Sequence, residues 1–422
     1  MADMLQLAIS KESALDIRKL TDPHDWLESE RVIETAFLHP WDETAARERI
    51  QTQANGSLPR PEVSWGLFDG DTMLTSISTL QHQLSFGGEV INAGEFHMVG
   101  SLPERRGGGG VRRLFGEILR DFRAQGDVLA VLIPFSCAFY RKFGFEVATL
   151  VMDQRVAIDQ LAGFSCDLRV TRVWNEADLA PVRALWDAHA RSCNLAEVRD
   201  DAAWVWRGNG DYGAPDFLHP DRQRYTYVLW DTKDNPCAYL RFSFFHQPDL
   251  PFVGELKVDD FVWNSPLALR SALGFLYRMR AKVSHINFEL PDLDLSTLMP
   301  ESDRVEQRID SHVMARLLDA GTLLRLMPQP YDTGSYVLGI EDAFLPEAAG
   351  RWQVAFETGR ATAVKPTDRE PDLVVDETTA TQLILGRIAL GDALYRPDVQ
   401  LIGNAEVLAH AFTRRPVYLT LG

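Results

Sequence analysis

Several things are scarce in this chain, and each scarcity removes a class of function. No run of about 18 apolar residues occurs, and the first twenty residues carry charges where a signal peptide needs an apolar core, so neither a membrane span nor a secretory leader is expected. Cysteine is sparse: Cys137, Cys166, Cys193 and Cys237 stand apart without CxxC spacing, which argues against a zinc site and a disulfide framework and suits a reducing compartment. Basic residues are outnumbered, 43 Lys and Arg against 60 Asp and Glu, for a net charge of −17. Such a surface repels nucleic acid and anionic membranes and draws cationic molecules. No Gly-Lys-Ser/Thr follows the glycine-rich stretch, which removes the P-loop. No acidic residue follows a second parallel strand there, which weakens a dinucleotide site. The expectation is a soluble, cytoplasmic protein with no metal.

What is present centres on Asn92 to Glu146. Four consecutive glycines, Gly107 to Gly110, separate a strand-like run ending at Met98 and Val99 from a segment whose apolar residues recur at Val111, Leu114, Phe115, Ile118, Leu119 and Phe122. That spacing predicts one buried helix face. A glycine-rich turn that opens a helix exposes unpaired N–H groups and lets an anion such as phosphate approach them. Val128 to Ile133 reads as a strand buried on both faces, ended by Pro134, and Ser136 to Phe143 as a short helix carrying Tyr140. Upstream, hairpin turns at Asp69-Gly70-Asp71 and Phe86-Gly87-Gly88-Glu89 predict an antiparallel meander, so the unit is a mixed α/β sheet. Phe37 and Trp41, flanking Leu38-His39-Pro40, can wall a pocket. Strand alternation puts Glu95, His97 and Val99 on one face and Phe96 and Met98 on the other, with Glu95 and His97 as secondary proton-relay candidates.

With 422 residues, two or three domains are expected. From about residue 156 the order of elements repeats, but only Asn264 and Ser265 separate the strand ending at Trp263 from the helix predicted at Pro266, so the phosphate cradle is missing. A third unit of α+β pattern begins near residue 301. The chain closes on an apolar run, Pro416 to Leu421, expected to pack inside the protein.

These residues resemble the GNAT acyltransferase family, which transfers an acyl group from coenzyme A to an amine. The family motif R/Q-x-x-G-x-G/A fits in two registers. Arg105, Gly108 and Gly110 match it literally; Arg106, Gly109 and Val111 match less literally but keep the family's distance from Pro103 and to Leu114, and this register is preferred. Ala138 to Phe145 is similar to the family's tyrosine-bearing segment, which implies that Tyr140 protonates the departing thiolate. The whole chain resembles the enhanced intracellular survival (Eis) branch of the family. The resemblance implies an α/β (α+β) protein with tandem GNAT folds: a catalytic domain over 1–155, a degenerate one over 156–300, and a sterol-carrier-protein-like domain over 301–422. It implies acetyl-CoA as co-substrate, held by Met98, Val99, Gly100, Ser101, Arg106, Gly107, Gly108, Gly109, Gly110, Val111, Arg112, Phe135 and Ser136. It further implies that the terminal carboxylate of Gly422 helps deprotonate the amine, although relatives often end on an aromatic residue. The acceptor would be an aminoglycoside, another polyamine or a lysine side chain, and the assembly a homo-oligomer, hexameric in relatives. The alternative is a non-catalytic coenzyme A- or lipid-binding module.

Overall fold

The computed structural model describes residues 15–54, 62–201, 203–204, 224–247, 250–291 and 294–420. Strands β1 (Asp16–Lys19), β2 (Val63–Asp69), β3 (Thr72–Phe86), β4 (Glu89–Ser101), β5 (Leu129–Leu132), β6 (Glu146–Ala157), β7 (Arg169–Arg172), β8 (Arg224–Trp230), β9 (Pro236–Gln247), β10 (Leu250–Trp263), β11 (Val283–Pro291) and β12 (Glu306–Leu317) share one sheet. Their spatial order is β1-β2-β3-β4-β5-β12-β6-β11-β10-β9-β8-β7. The first two units are therefore two halves of a single twelve-stranded sheet, joined where β6 pairs with β11.

The first half carries helices α1 (Pro23–Ala36), α2 (Glu43–Ala54), α3 (Gly110–Gln125) and α4 (Cys137–Arg141). Asp22 starts α1 by accepting from the N–H groups of His24 and Asp25 at 2.9 and 3.0 Å, with Pro23 in the first helical position. α3 follows the spacing predicted for it: Leu114, Phe115, Ile118, Leu119 and Phe122 are its buried residues, and Gly126 ends it with φ +90°. Phe115 stacks on Phe96 of β4 with ring centroids 4.1 Å apart. The second half carries α5 (Ala180–Ser192) and α6 (Pro266–Tyr277).

β12 is the main departure from the sequence reading, which placed it in the third unit. It lies between β5 and β6, antiparallel to both. Its first half, Glu306 to Asp310, is largely polar and exposed, so the strand gives no alternating apolar signal; its last five residues are buried. A boundary at 300/301 thus cuts a strand away from the sheet that holds it. The five-stranded sheet of the third unit comprises β13 (Gly334–Glu341), β14 (Gly350–Glu357), β15 (Arg360–Pro366), β16 (Leu373–Asp376) and β17 (Gln400–Leu401), in the order β15-β14-β13-β16-β17. It is accompanied by α7 (Ala320–Leu326), α8 (Glu377–Leu385), α9 (Leu390–Ala393) and α10 (Ala405–Ala411).

The third unit is not a separate bead. One buried cluster runs from Leu84, Ile91 and Leu129 of the first unit to Leu323, Tyr336 and Leu383 of the third, and includes Val417 and Leu419. Val417 and Leu419 of the C-terminal run are packed inside, as their apolar side chains require. Arg316 of β12 is fully buried at the same junction. It donates to the Phe143 carbonyl at 2.7 Å and pairs with Asp342. Gly144, at φ +78°, is forced by this arrangement, since a Cβ there would run into the guanidinium.

Glu377, beside the same guanidinium, is pushed up to about 7, mainly by burial. A carboxyl raised in the folded state binds more protons than it does unfolded between its ordinary value of 4.5 and about 7, so stability falls as pH rises through that window. Glu377→Gln should flatten this fall in urea-midpoint measurements from pH 4.5 to 8. An unchanged pH profile would show that the group does not titrate there.

Candidate active site

The geometry of the site begins with a defect in β4. Opposite Ile77 of β3 the strand holds two residues, Met98 and Val99: Ser78 pairs with His97 and Ser76 with Gly100. Met98 takes φ +45° to make this bulge. The bulge moves every later side chain to the other face. Val99 consequently packs on the cluster that holds Phe96 and Phe115, which corrects the simple alternation that grouped it with Glu95 and His97.

β4 and β5 run parallel from Ala93 opposite Leu129 to Phe96 opposite Leu132, and part beyond that point. One wall of the opening is then Met98, Val99, Gly100 and Ser101; the other is Ile133, Phe135 and Ser136. Met98, Ile133 and Phe135 are exposed, as are Phe37 and Trp41 past the end of α1. α1 ends against β4 because Gly100 leaves room: a Cβ there would press on Ile33 and Ala36.

The glycine turn lies next. Gly107 and Gly109 have φ +82° and +79°, open to glycine and strained for other residues. Gly109 is the N-cap of α3 and offers no side chain to cap it. Arg113 is the first residue of the helix to donate inward, to the Gly109 carbonyl at 3.1 Å. Among the described residues, the N–H groups of Gly109, Gly110, Val111 and Arg112 meet no acceptor, so four donors and the positive end of α3 are left for an anion. Gly110 is sterically obligatory, because a Cβ would run into Thr75 Oγ1. Val111 by contrast packs its side chain on the core cluster. The basic residues nearby are anchored: Arg106 donates to the Ala36 carbonyl at 2.7 Å, and Arg112 lies 4.7 Å over the ring of Phe344 from the third unit.

Tyr140 sits across the opening on α4. Ser136 caps this helix by accepting from Phe139 N–H at 3.3 Å, and Arg141 holds its far end by a double hydrogen bond to Glu146 at 2.9 and 2.8 Å. The phenol ring is buried among Phe115, Phe135, Phe139 and Phe145. Burial pushes its pKa up to about 12, and its hydroxyl makes no hydrogen bond among the described residues. It is a neutral proton donor at any physiological pH.

Glu95 is not open to the cleft. It is buried and accepts from or shares a proton with His82 Nε2 at 2.6 Å, while His82 Nδ1 meets Glu197 of the second unit at 3.2 Å. Burial opposes ionisation of His82, but the hydrogen bonds to Glu197 and Glu95 outweigh it and raise its pKa. The row makes Glu95 a fixed, charge-compensated group on the face of β4 opposite α3. His97, half-buried two residues on, remains nearer the bulge. Nothing local in the sequence marks His82 or Glu197, since their partners are 13 and 115 residues away. Gly422 lies outside the described residues.

Comparison with known proteins agrees with this geometry. Residues 16–148 match the acetyltransferase (GNAT) domain, residues 195–317 match a second acetyltransferase (GNAT) domain, and residues 322–420 match the sterol carrier protein domain. An uncharacterized N-acetyltransferase of Streptomyces avermitilis is 26% identical over 350 residues, which is 78% of this chain and 80% of that protein. A probable N-acyltransferase from Enterococcus faecalis superposes with a TM-score of 0.79 at 21% identity, over 96% of this chain and 99% of that one. Eis1 from Mycobacterium abscessus superposes with a TM-score of 0.76 at 19% identity, over the same shares. At these identities the two solved structures establish a common fold.

Proposed function

The chain is a GNAT-type N-acetyltransferase in which two acetyltransferase domains precede a sterol carrier protein domain, the Eis-like arrangement, and we propose that its first unit transfers acetyl from acetyl-CoA directly to a primary amine of a cationic acceptor. GNAT domains use acetyl-CoA as co-substrate and act on an amine. The observation that carries the assignment is the pairing of four unpaired amides at the start of α3 with a buried, protonated tyrosine across the same strand opening.

In this reading the amides from Gly109 to Arg112 hold the pyrophosphate, that of Gly108 being spent on the Arg105 carbonyl at 3.3 Å, and Met98 to Ser101 bond the pantetheine arm along the bulge, with Phe135 and Ser136 on the far wall. Arg106 and Arg112 add positive charge from their anchored positions. Glycine is demanded at Gly110 by Thr75, which suits the literal register of Arg105, Gly108 and Gly110, and at Gly109 by its φ of +79°, which suits the register of Arg106, Gly109 and Val111; the amide set is the same in both. The co-substrate supplies the activated acetyl group. Transfer forms a C–N bond and breaks the C–S bond, the Val99 N–H steadies charge on the acetyl oxygen, and Tyr140 gives its proton to the departing thiolate. A thiolate released into the same apolar surroundings is raised by desolvation as Tyr140 is, which narrows the gap between donor and acceptor.

The amine must first lose its own proton. In this reading that proton leaves to ordered water in the opening, before the neutral amine attacks. Glu95 becomes a positioning residue through His82. The exposed rings of Phe37 and Trp41 and the net charge of −17 favour a polycationic acceptor, a polyamine or aminoglycoside, with lysine side chains as the other member of the class. We place the protein in the cytoplasm, where its free thiols belong, as a homo-oligomer, hexameric by analogy with its relatives. The test is thiol release from acetyl-CoA across a panel of polyamines, aminoglycosides and lysine peptides, with product mass as confirmation. Saturable acetylation of the polycations supports the reading; coenzyme A binding without turnover on any amine removes it.

Gly110 offers a sharper check on the cofactor site. Gly110→Leu should displace the start of α3 from Thr75 and weaken acetyl-CoA binding at least tenfold by calorimetry. Unchanged affinity would place the pyrophosphate elsewhere.

A further inference from the structure

The second unit repeats the shape of the first without its anion site. β10 and β11 run parallel from Gly254 opposite Val283 to Val258 opposite Phe288, then part. β10 is also bulged against β9, where Val258 pairs with Phe242 but Asp260 with Arg241. At the start of α6, however, Ser265 accepts from Ala268 N–H at 3.2 Å, and Pro266 has no N–H to give. The four free donors of the first unit are reduced here to two among the described residues, the N–H groups of Ser265 and Leu267, with no glycine turn to bring an anion onto them.

What meets this parting is the chain's own C-terminal segment. A cavity of about 170 Å³ remains between Phe261 and Trp263 of β10, Leu290 and Pro291 of β11, and the incoming Val417 and Tyr418. The Tyr418 ring stands edge-on to His189 and Trp186 of α5, with centroids 4.6 and 5.7 Å apart. Its backbone is held by Asn194, which donates to Pro416 O at 3.4 Å and accepts from Tyr418 N–H at 2.8 Å. The residues after Asn194 continue onto the first unit: Leu195 donates to Ser85 O at 2.6 Å and Val198 to Gln83 O at 2.8 Å. Glu197, on this same connecting segment, holds His82 and through it Glu95 of the bulged strand.

We propose that the parted strands of the second unit, together with α5, are a receptor for the C-terminal segment: Tyr418 packs on their apolar cluster in place of a cofactor, while Val417 enters the core shared by the first and third units, and the segment is so fixed against β3 and β4 of the first unit. The second unit then contributes to acetyl transfer by placement. Trp263 and Tyr418 are positioning residues, and their role rests on the first unit's being the catalytic one. Apolar burial holds the segment, so removing either ring should loosen it without touching the glycine turn.

The test compares Trp263→Ala, Tyr418→Ala and Trp263→Phe in the full chain. Three quantities are read: hydrogen exchange of peptides covering 413–420, kcat for a polyamine acceptor, and acetyl-CoA affinity. The two alanine variants should exchange at least tenfold faster over that segment and lose at least tenfold in kcat, with acetyl-CoA affinity within twofold of the parent; Trp263→Phe should restore both. Unchanged exchange would overturn the receptor, and fast exchange with unchanged kcat would overturn its link to the reaction. Loss of acetyl-CoA affinity alongside kcat would mean general disruption and equally overturn it. If the parent acetylates no amine, the catalytic reading fails on its own, and the exchange measurement still decides whether the receptor holds the segment.

Discussion

Tyr140→Phe should lower kcat by about 10²- to 10³-fold while leaving the KM for acetyl-CoA nearly unchanged. The reason is specific to how the residue is held. Its ring is fixed by contacts with Phe115, Phe135, Phe139 and Phe145 that phenylalanine also makes, and its hydroxyl bonds to no described residue, so the substitution removes a proton donor and little else. Thermal stability should match the parent. With the phenol at about 12, the parent's kcat should show no loss of its acid at any pH below about 11. Full activity in the phenylalanine variant would remove the acid assignment.

The second large effect is on stability. Arg316→Ala should cost about 3–5 kcal/mol, because it leaves Asp342 buried without its partner and removes the donor to the Phe143 carbonyl at 2.7 Å. The double substitution Arg316→Met with Asp342→Leu should recover only part of that loss: it removes the unpaired buried carboxylate, but leaves the Phe344 and Leu345 N–H groups without the acceptor they meet at 3.0 and 2.7 Å. Urea midpoints of the three proteins decide the matter. A single variant as stable as the parent would show that the pair does not join the first and third units. The same guanidinium props the segment after α4, so Arg316→Ala should also lower kcat by loosening Tyr140.

Much of the first unit was legible in the sequence because its signals are local. Four glycines before a helix-spaced run, an apolar strand ended by proline, and a short aromatic segment each lie within a few residues of the feature they specify. α3, β5, α4 and the placement of Tyr140 follow from them directly. The rest depends on distant partners. β12 enters between β5 and β6 with half its length polar, so neither periodicity nor chain order predicts it. The β4 bulge inserts one residue and reverses the facing of Val99, which no alternation rule anticipates without knowing that Met98 adopts φ +45°. Glu95 looks like a free relay on its own strand. It becomes a buried, paired group only because His82 and Glu197 are brought to it from a neighbouring strand and from the second unit. The motif register shows the same limit: glycine is required at Gly110 by the approach of Thr75 and at Gly109 by its positive φ, one glycine from each register, and neither demand is visible in the run of four.

The second unit keeps the parted strands of the first but not its glycine turn. The missing glycine turn was plain from Asn264 and Ser265. That Tyr418 packs on the same unit was not, because the two segments lie far apart in the chain and meet through Asn194.

The central claim is that one of the two acetyltransferase units holds acetyl-CoA and the other does not. Titration calorimetry of the full chain with acetyl-CoA tests it most directly. One site per chain, abolished or strongly weakened by Gly110→Leu and unaffected by Trp263→Ala, is the predicted result. Two sites per chain, or a single site that survives Gly110→Leu and is lost in Trp263→Ala, would contradict it.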